Sequence, residues 1–382
     1  MRVLFLISGA TLSDGIARHI LTLCEYFSAL DEVEVAVCVS QGEGDLTTSL
    51  RAVGTKVYVL NGQNGHDWRI FRRFHNVIRE FKPDLIHSHV MSLNIRIYLS
   101  LFARSLPIAT TVHGMTDPAK NWSQKRKAFF ELLLNRFFSV NEQTVLMISN
   151  EIQRMIEAGK AKFSSRVLYN PVSLKNTPLR DATWLKSEIN IPLTAPLIGF
   201  IGRLAEVKDL PAFLLTARIL LTINSDCHFV VVGDGPDEKY KESEWMKGLE
   251  TKVHWLGYRK DAKKIMAALD VFVLTSFREG MPTVLLEAFS VRTPVVAFVS
   301  PGGVREVYEL SRKYDGGVGL FVESRDSEEL AKTIQMILCN QELRSVVVEN
   351  GFRLVQDEFD VEVIGSRLNR IYCEVHNSSK KA

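Results

Sequence analysis

Apolar and polar residues along this chain fall into short blocks that recur in one order. Continuous apolar runs alternate with longer stretches whose apolar positions return at helical spacing. A near-continuous apolar run is what a parallel strand covered on both faces shows. The first run, Val3 to Ile7, opens into Ser8 to Gly15, and Ile16 to Phe27 then reads as a helix. Further strands are predicted at 33–39, 56–60, 85–89, 108–113, 145–149 and 167–169. Strand alternating with helix in this way predicts a doubly wound α/β sheet that binds ligands outside the carboxyl ends of its strands. After Asn170-Pro171-Val172 a polar stretch, Ser173 to Asn190, interrupts the pattern. It restarts at Pro196, with strands predicted at 197–201, 229–233, 253–256, 271–274, 294–299 and 318–322. The reading is therefore α/β, with a Rossmann-like domain over 1–172 and a second over 173–360. The last segment, 361–382, carries Val363, Ile364, Leu368, Ile371 and Tyr372 on one helical face, so it should dock on one of them.

Composition narrows the class. With 382 residues, 46% hydrophobic and 24% charged, the chain can build two proper cores. A net charge of +3 and the lack of a basic run interleaved with aromatics give no argument for nucleic acid. The five cysteines show no CxxC spacing, which suggests neither a disulfide frame nor a zinc site and fits a reducing compartment. The apolar start is too short for a signal peptide and lacks a small-residue cleavage site, and no stretch approaches the ~20 apolar residues of a membrane span. The expected location is the cytoplasm, at most peripheral to the inner face of a membrane.

The chemistry concentrates in Phe277-Arg-Glu-Gly-Met-Pro-Thr-Val-Leu-Leu-Glu287. The buried strand at 271–274 runs into a turn at Glu279-Gly280, and a helix follows at once. Pro282 suits its first position, so the amides of Thr283, Val284 and Leu285 are expected to point free toward a ligand above the strand. Glu279 lies in the loop and Glu287 about one and a half turns into the helix, at ~1.5 Å per residue. Two solvated glutamates on an ordinary strand-turn-helix unit would have the same spacing.

The surroundings of this motif change the picture. Glu279 and Glu287 with Gly280, Pro282 and Ala288 between and beside them look like the glutamate-pair motif of the retaining family-four glycosyltransferases. Gly202-Arg203-Leu204 with Lys208 and Asp209, Val231 to Pro236, Gly302 to Val307, and Asn170-Pro171-Val172 extend the resemblance over nearly the whole chain. It implies the GT-B architecture, two Rossmann-like domains facing across a cleft, with the last helix crossing back to the first domain. A two-domain dehydrogenase is the structural alternative. Gly9 and Gly15 lack the GxGxxG spacing that a nicotinamide site needs.

A sugar-nucleotide diphosphate gains charge on the leaving oxygen as the glycosidic bond breaks, and something cationic must be preorganised there. The chain contains no Asp-x-Asp for a divalent metal, so side-chain cations remain and no metal or other cofactor is expected. Arg203 and Lys208 sit at the carboxyl edge of the second domain, and by resemblance they clamp the diphosphate; the alternative is a pair of surface cations. Gly15 precedes a helix whose amides could receive a phosphate, although Asp14 stands where the family has the first glycine of a pair. His113 is similar to the family histidine that faces the donor sugar, and a positioning role suits it better than a general base. In a front-face, retaining reaction the leaving phosphate accepts the proton. His87 and His89 share one strand face, but with no third ligand in view they read as structural. By resemblance Glu279 accepts from sugar hydroxyls and Glu287 from the ribose, with Gly280, Met281 and Thr283 completing the contacts. The base is placed near Gly257-Tyr258-Arg259, and Gly303 and Glu306 are given supporting roles.

The stretch 120–138 is basic at its start and holds Trp122, Phe129, Phe130, Phe137 and Phe138. It reads either as a core-packed helix with a solvated end or as a membrane-surface helix beside a lipid-borne acceptor. The function expected from all this is retaining transfer of a sugar from a nucleotide-sugar donor to a hydroxyl of a glycan or lipid-linked acceptor, in polysaccharide or lipopolysaccharide synthesis. A sugar-nucleotide epimerase of the same fold and a non-catalytic sugar-nucleotide-binding protein are the alternatives. An epimerase would convert the donor without an acceptor, and a binding protein would not hydrolyse it.

Overall fold

The computed structural model describes residues 1–12, 15–62, 67, 69–89, 93–113, 141–158 and 165–379. The chain divides into two compact units: Met1–Pro171 with Val361–Ala382, and Val172–Asp360. In the first unit a sheet of β1 (Arg2–Ile7), β2 (Glu34–Val39), β3 (Lys56–Val59), β4 (Leu85–Ser88), β5 (Ile108–Val112), β6 (Glu142–Met147) and β7 (Ser165–Val167) runs in the order β3-β2-β1-β4-β5-β6-β7. The second unit holds β8 (Leu197–Ile201), β9 (His228–Val232), β10 (Val253–Gly257), β11 (Val271–Leu274), β12 (Val295–Phe298) and β13 (Leu320–Val322), ordered β10-β9-β8-β11-β12-β13. Neighbouring strands are parallel in both sheets. Each sheet therefore reverses its winding beside its first strand, between β1 and β4 and between β8 and β11. At such a switch point adjacent loops leave in opposite directions and open a crevice at the carboxyl edge.

The apolar runs are buried as their pattern requires: Val3 to Leu6 of β1 and Val271 to Val273 of β11 are fully covered. Strand ends depart from the expected ones where polar residues join a ladder. β6 begins at Glu142, because Ile108 pairs with Glu142 and Ala109 with Thr144. Ser149, expected in that strand, instead accepts the Ile152 N–H at 3.3 Å at the start of the helix Asn150–Ala158. The stretch 120–138 lies outside the described residues.

The helix Val361–Ser379 packs on the first unit. It buries Val361, Ile364, Leu368, Ile371, Tyr372 and Val375, with Val363 only half covered. Gly365 allows the close approach, since a Cβ there would come within 2.4 Å of the Tyr26 ring. Tyr372 is fully buried, stacks on Phe27 with ring centroids 5.9 Å apart, and its hydroxyl meets His87 Nδ1 at 2.5 Å. The Arg166–Glu374 pair at 2.6 Å is exposed on both sides and adds little.

Tyr372→Ala is expected to destabilise the protein by about 3–5 kcal/mol, the cost of removing a buried aromatic. Tyr372→Phe should cost about 1–3 kcal/mol, because it keeps the packing but strands the His87 nitrogen. Denaturant unfolding measures both, and equal losses in the two variants would refute this division between packing and hydrogen bonding.

Candidate active site

In the second unit the loops after β8 and β9 are zipped together before they reach the edge of the sheet. The Gly202 N–H donates to the Val232 carbonyl at 2.9 Å and the Leu204 N–H to the Asp234 carbonyl at 2.7 Å. Only glycine fits at 233, where φ is +136° and a Cβ would lie 1.9 Å from the Gly202 oxygen. Arg203 emerges from this junction into solvent, and its guanidinium pairs with no described residue. A short 3-10 turn, Glu206–Lys208, follows, and Asp209 at φ +53° starts the helix Leu210–Ile223 by accepting the Ala212 N–H at 3.3 Å.

The loop after β11 is tied to that same turn. The Phe277 N–H donates to the Val207 carbonyl at 2.8 Å, and Thr275 Oγ1 lies 3.0 Å from the carbonyls of both Lys208 and Asp209. Arg325 completes the tie. It donates to the carbonyls of Ser276 at 3.0 Å and Thr275 at 2.8 Å and pairs with the Asp209 carboxylate, while its guanidinium lies over the Phe277 and Phe298 rings at 4.3 and 4.9 Å.

These constraints bring Lys208 and Glu279 together. Lys208 Nζ lies 2.6 Å from Glu279 Oε1, and the Ser276 hydroxyl donates to the same oxygen at 2.6 Å. The side chains are only 18% and 11% exposed. Glu279 Oε2 has no partner among the described residues and remains free to accept from a ligand. The Glu279 backbone is held as firmly. Its N–H donates to the Pro301 carbonyl at 3.2 Å, and its carbonyl accepts the Gly303 N–H at 2.9 Å. Gly302, at φ +92°, leaves no room for a side chain, because a Cβ would fall 1.8 Å from the Glu279 oxygen. The glycine pair 302–303 thus supports the glutamate loop.

The helix after this loop spans Thr283–Ser290, with Pro282 one position earlier than expected. The expectation of three free amides is corrected. The Thr283 N–H donates to Met281 and the Leu285 N–H to Pro282, both at 2.9 Å, leaving that of Val284. The proline turn closes on itself and consumes them. Met281 is buried, Gly280, Thr283 and Glu287 are half-buried, and Glu287 is the fifth residue of the helix. Tyr258, partly exposed, follows β10 at the sheet edge, where the Gly257 carbonyl accepts the Gly233 N–H at 2.8 Å.

The sequence motifs missed two parts of this site. Ser276 lies beside the glutamate motif, but a serine after a strand carries no signal of its own. Arg325 did carry one, as a cation just past β13 on the same carboxyl edge that singled out Arg203.

The remaining candidates lie in the first unit. Gly15 opens the helix Gly15–Phe27 in the open, and a Cβ there would meet nothing within 4 Å. His113 follows β5, and its Nε2 lies 2.8 Å from His89 Nδ1. His19, on the first helix, packs edge-on against both, with centroids at 5.2 and 5.0 Å. His87 turns elsewhere, toward the Tyr372 hydroxyl and toward Thr111 Oγ1 at 2.7 Å. Burial holds all four imidazoles neutral. It lowers His113 to about 4 and, with the His113 charge adding, His87 to about 3. It also lowers His19 and His89 well below the ordinary range, where neighbouring histidines add to the effect.

Comparison with known proteins agrees with the class that this fold defines. The Anabaena protein HepE, solved in complex with UDP-glucose, superposes with a TM-score of 0.79 over 98% of this chain and 100% of its own, at 21% identity. The architecture is GT-B. The model of glycosyltransferase family 4 matches residues 13–176, and that of glycosyl transferases group 1 matches residues 182–354. The chain belongs to the family-four glycosyltransferases. An alpha-1,4-N-acetyl-D-galactosaminyltransferase of Campylobacter jejuni, named for a glycan on PP-undecaprenol, is 24% identical over 99% of this chain and all of its own. The alpha-D-kanosaminyltransferase of Streptomyces kanamyceticus is 25% identical over 74% of this chain and 70% of its own.

The four neutral histidines fix a pH dependence. Their folded pKa values lie below the unfolded value of about 6.5, so the stability they contribute is complete above that pH. It is lost as pH falls from about 6.5 toward the folded values, at up to ~1.4 kcal/mol per pH unit for each histidine. The unfolding temperature is expected to drop between pH 7 and pH 5, less steeply in His87→Gln. A flat profile over that range would contradict the neutral cluster.

Proposed function

We propose that the protein transfers a sugar from a nucleotide-sugar donor to a hydroxyl of a glycan or lipid-linked acceptor, with retention of anomeric configuration. The observation that carries this reading is the Lys208–Glu279 pair at the β8/β11 switch point, with Oε2 of the glutamate left open. A cation and a hydroxyl acceptor side by side suit the two halves of a sugar phosphate. Arg203 and Lys208 take the diphosphate, Glu279 with Gly280, Met281 and Thr283 takes the donor sugar, Glu287 the ribose, and Tyr258 the neighbourhood of the base. Gly15 and His113 belong to the first unit, and their assignment to the same donor is part of the proposal. The bond between the anomeric carbon and the phosphate oxygen breaks. The acceptor oxygen bonds to that carbon on the same face, and its proton passes to the leaving phosphate. No side chain is required as base.

The relatives support the acceptor class, since the Campylobacter enzyme is named for a polyprenyl-linked glycan and a Bacillus subtilis relative for teichuronic acid biosynthesis. Among the described residues no helix is long and apolar enough to cross a membrane. A peripheral contact through 120–138 would bring such an acceptor within reach. UDP-glucose, present in the HepE complex, is the first donor to try.

Lys208→Ala is expected to lower turnover by ~10²-fold or more, the scale seen when one charge-stabilising donor is removed, while leaving the protein folded. Turnover of labelled nucleotide sugars into a polyprenyl-linked acceptor measures it, and the proton spectrum of the product gives the anomeric configuration. A variant as active as the parent would remove Lys208 from the phosphate site, and an inverted product would remove the front-face mechanism. Turnover is also expected to survive EDTA, because cationic side chains fill the role of a metal at the leaving group. Loss of activity in EDTA with recovery in manganese would overturn that assignment.

A further inference from the structure

The histidine cluster of the first unit holds more imidazole nitrogens than hydrogen bonding uses. One ring nitrogen from each of His19, His89 and His113 lies within 4.8 Å of those of the other two. They come from three separate elements: the first helix, the end of β4 and the end of β5. Both nitrogens of His19 and Nε2 of His89 are buried with no hydrogen-bond partner among the described residues. Asn170 stands beside His19 and favours its charged form slightly, but its Oδ1 is itself unpaired. Buried polar groups in native proteins are nearly always satisfied, and a set that is not points to a water or an ion. His87, next in space, is fully satisfied by Tyr372 and Thr111, so among these imidazoles the deficit lies on His19 and His89, and His113 is tied to it through its 2.8 Å contact with His89.

We propose that His19, His89 and His113 form a binding site for one divalent ion of the zinc class, held by three imidazoles with a fourth position open to solvent beside the half-buried His113. The donor set fits that ion. Neutral imidazoles suit zinc and its neighbours, and three histidines with one open position is an established tetrahedral arrangement. Nitrogens at ~2.1 Å from a tetrahedral zinc are ~3.4 Å apart, so small rotations of rings now within 4.8 Å would close the site. Burial prepares the ligands as well. Metal must otherwise displace protons from histidine, and these rings are neutral at pH 7 without it. A consequence rests on the function proposed above: an ion that engages His113 withdraws it from the donor sugar, so occupation inhibits transfer. The site is thus a brake on transfer.

The test is a Co2+ and Zn2+ titration of the full chain after chelator treatment. It is read by cobalt ligand-field absorption and by metal content after dialysis, alongside His19→Gln and His254→Gln. The parent is expected to hold one equivalent in a tetrahedral spectrum. His19→Gln should bind ~100-fold more weakly or worse, while His254→Gln binds as the parent does. The control is needed because His228 Nδ1 and His254 Nε2 lie 3.1 Å apart on the other unit and could collect metal by themselves. Equal binding in the parent and His19→Gln, or loss in His254→Gln alone, overturns the proposal and leaves a buried water as the partner of these rings. Should His19→Gln fail to fold, zinc-edge absorption of the parent decides: three imidazoles at ~2.0–2.1 Å support the site, and a mainly oxygen shell overturns it. Turnover is read separately. Zinc bound at this site without inhibition removes His113 from the transfer reaction and leaves the metal site standing.

Discussion

Everything proposed for the second unit depends on two loops being fastened across the switch point of its sheet. Lys208 and Glu279 are 71 residues apart in sequence, on loops that leave the sheet in opposite directions, and such loops have no reason of their own to meet. Direct bonds from Phe277 and Thr275 to the other loop begin the fastening, and Arg325 completes it. Its single guanidinium satisfies two carbonyls of one loop and the carboxylate of the other, with aromatic rings on its flank. A planar fork of donors can do this, whereas a lysine ammonium could not span the same set. The ion pair of the site is therefore held from behind, by a residue outside the two sequence motifs it joins.

The sheets were legible in the sequence because both are parallel. A strand covered on both faces must be apolar throughout, and the runs at 3–7, 197–201 and 271–274 appear as strands within a residue of their expected ends. β6, paired on both sides by β5 and β7, was harder to delimit. It begins at Glu142, because its backbone ladder with β5 starts before the apolar run does. In the last helix, periodicity found the buried face but included Val363, because a window centred on Ile364 and Leu368 does not separate the rim of the face from its middle.

The candidate site was legible where chemistry and backbone geometry coincide in one short stretch. The glutamate motif announced itself, and the structure places Glu279 beside Lys208. The amides after Pro282 were misjudged, since the expectation of an open first turn assumed that the preceding carbonyls point away. Met281 and Pro282 turn theirs inward and accept those donors locally. The histidine cluster could not be read at all from spacing. His87 and His89 advertise themselves as a pair, yet they serve different partners. The ring that joins His89 and His113 comes from the first helix, a long way off in sequence.

The helix Val361–Ser379 carries one more consequence, for the order in which the protein is made. The second unit is one continuous segment, Val172–Asp360, whereas the first is split around it. The bond from His87 to Tyr372 spans 285 residues. On a ribosome adding ~5–20 residues per second, the first sheet must wait many seconds for its closing helix, while its successor can close as soon as it emerges. The part of the chain born first is thus completed last. Until then a buried histidine and the apolar surface around Phe27 stay uncovered, so the nascent chain has its greatest need of a chaperone at its amino-terminal half.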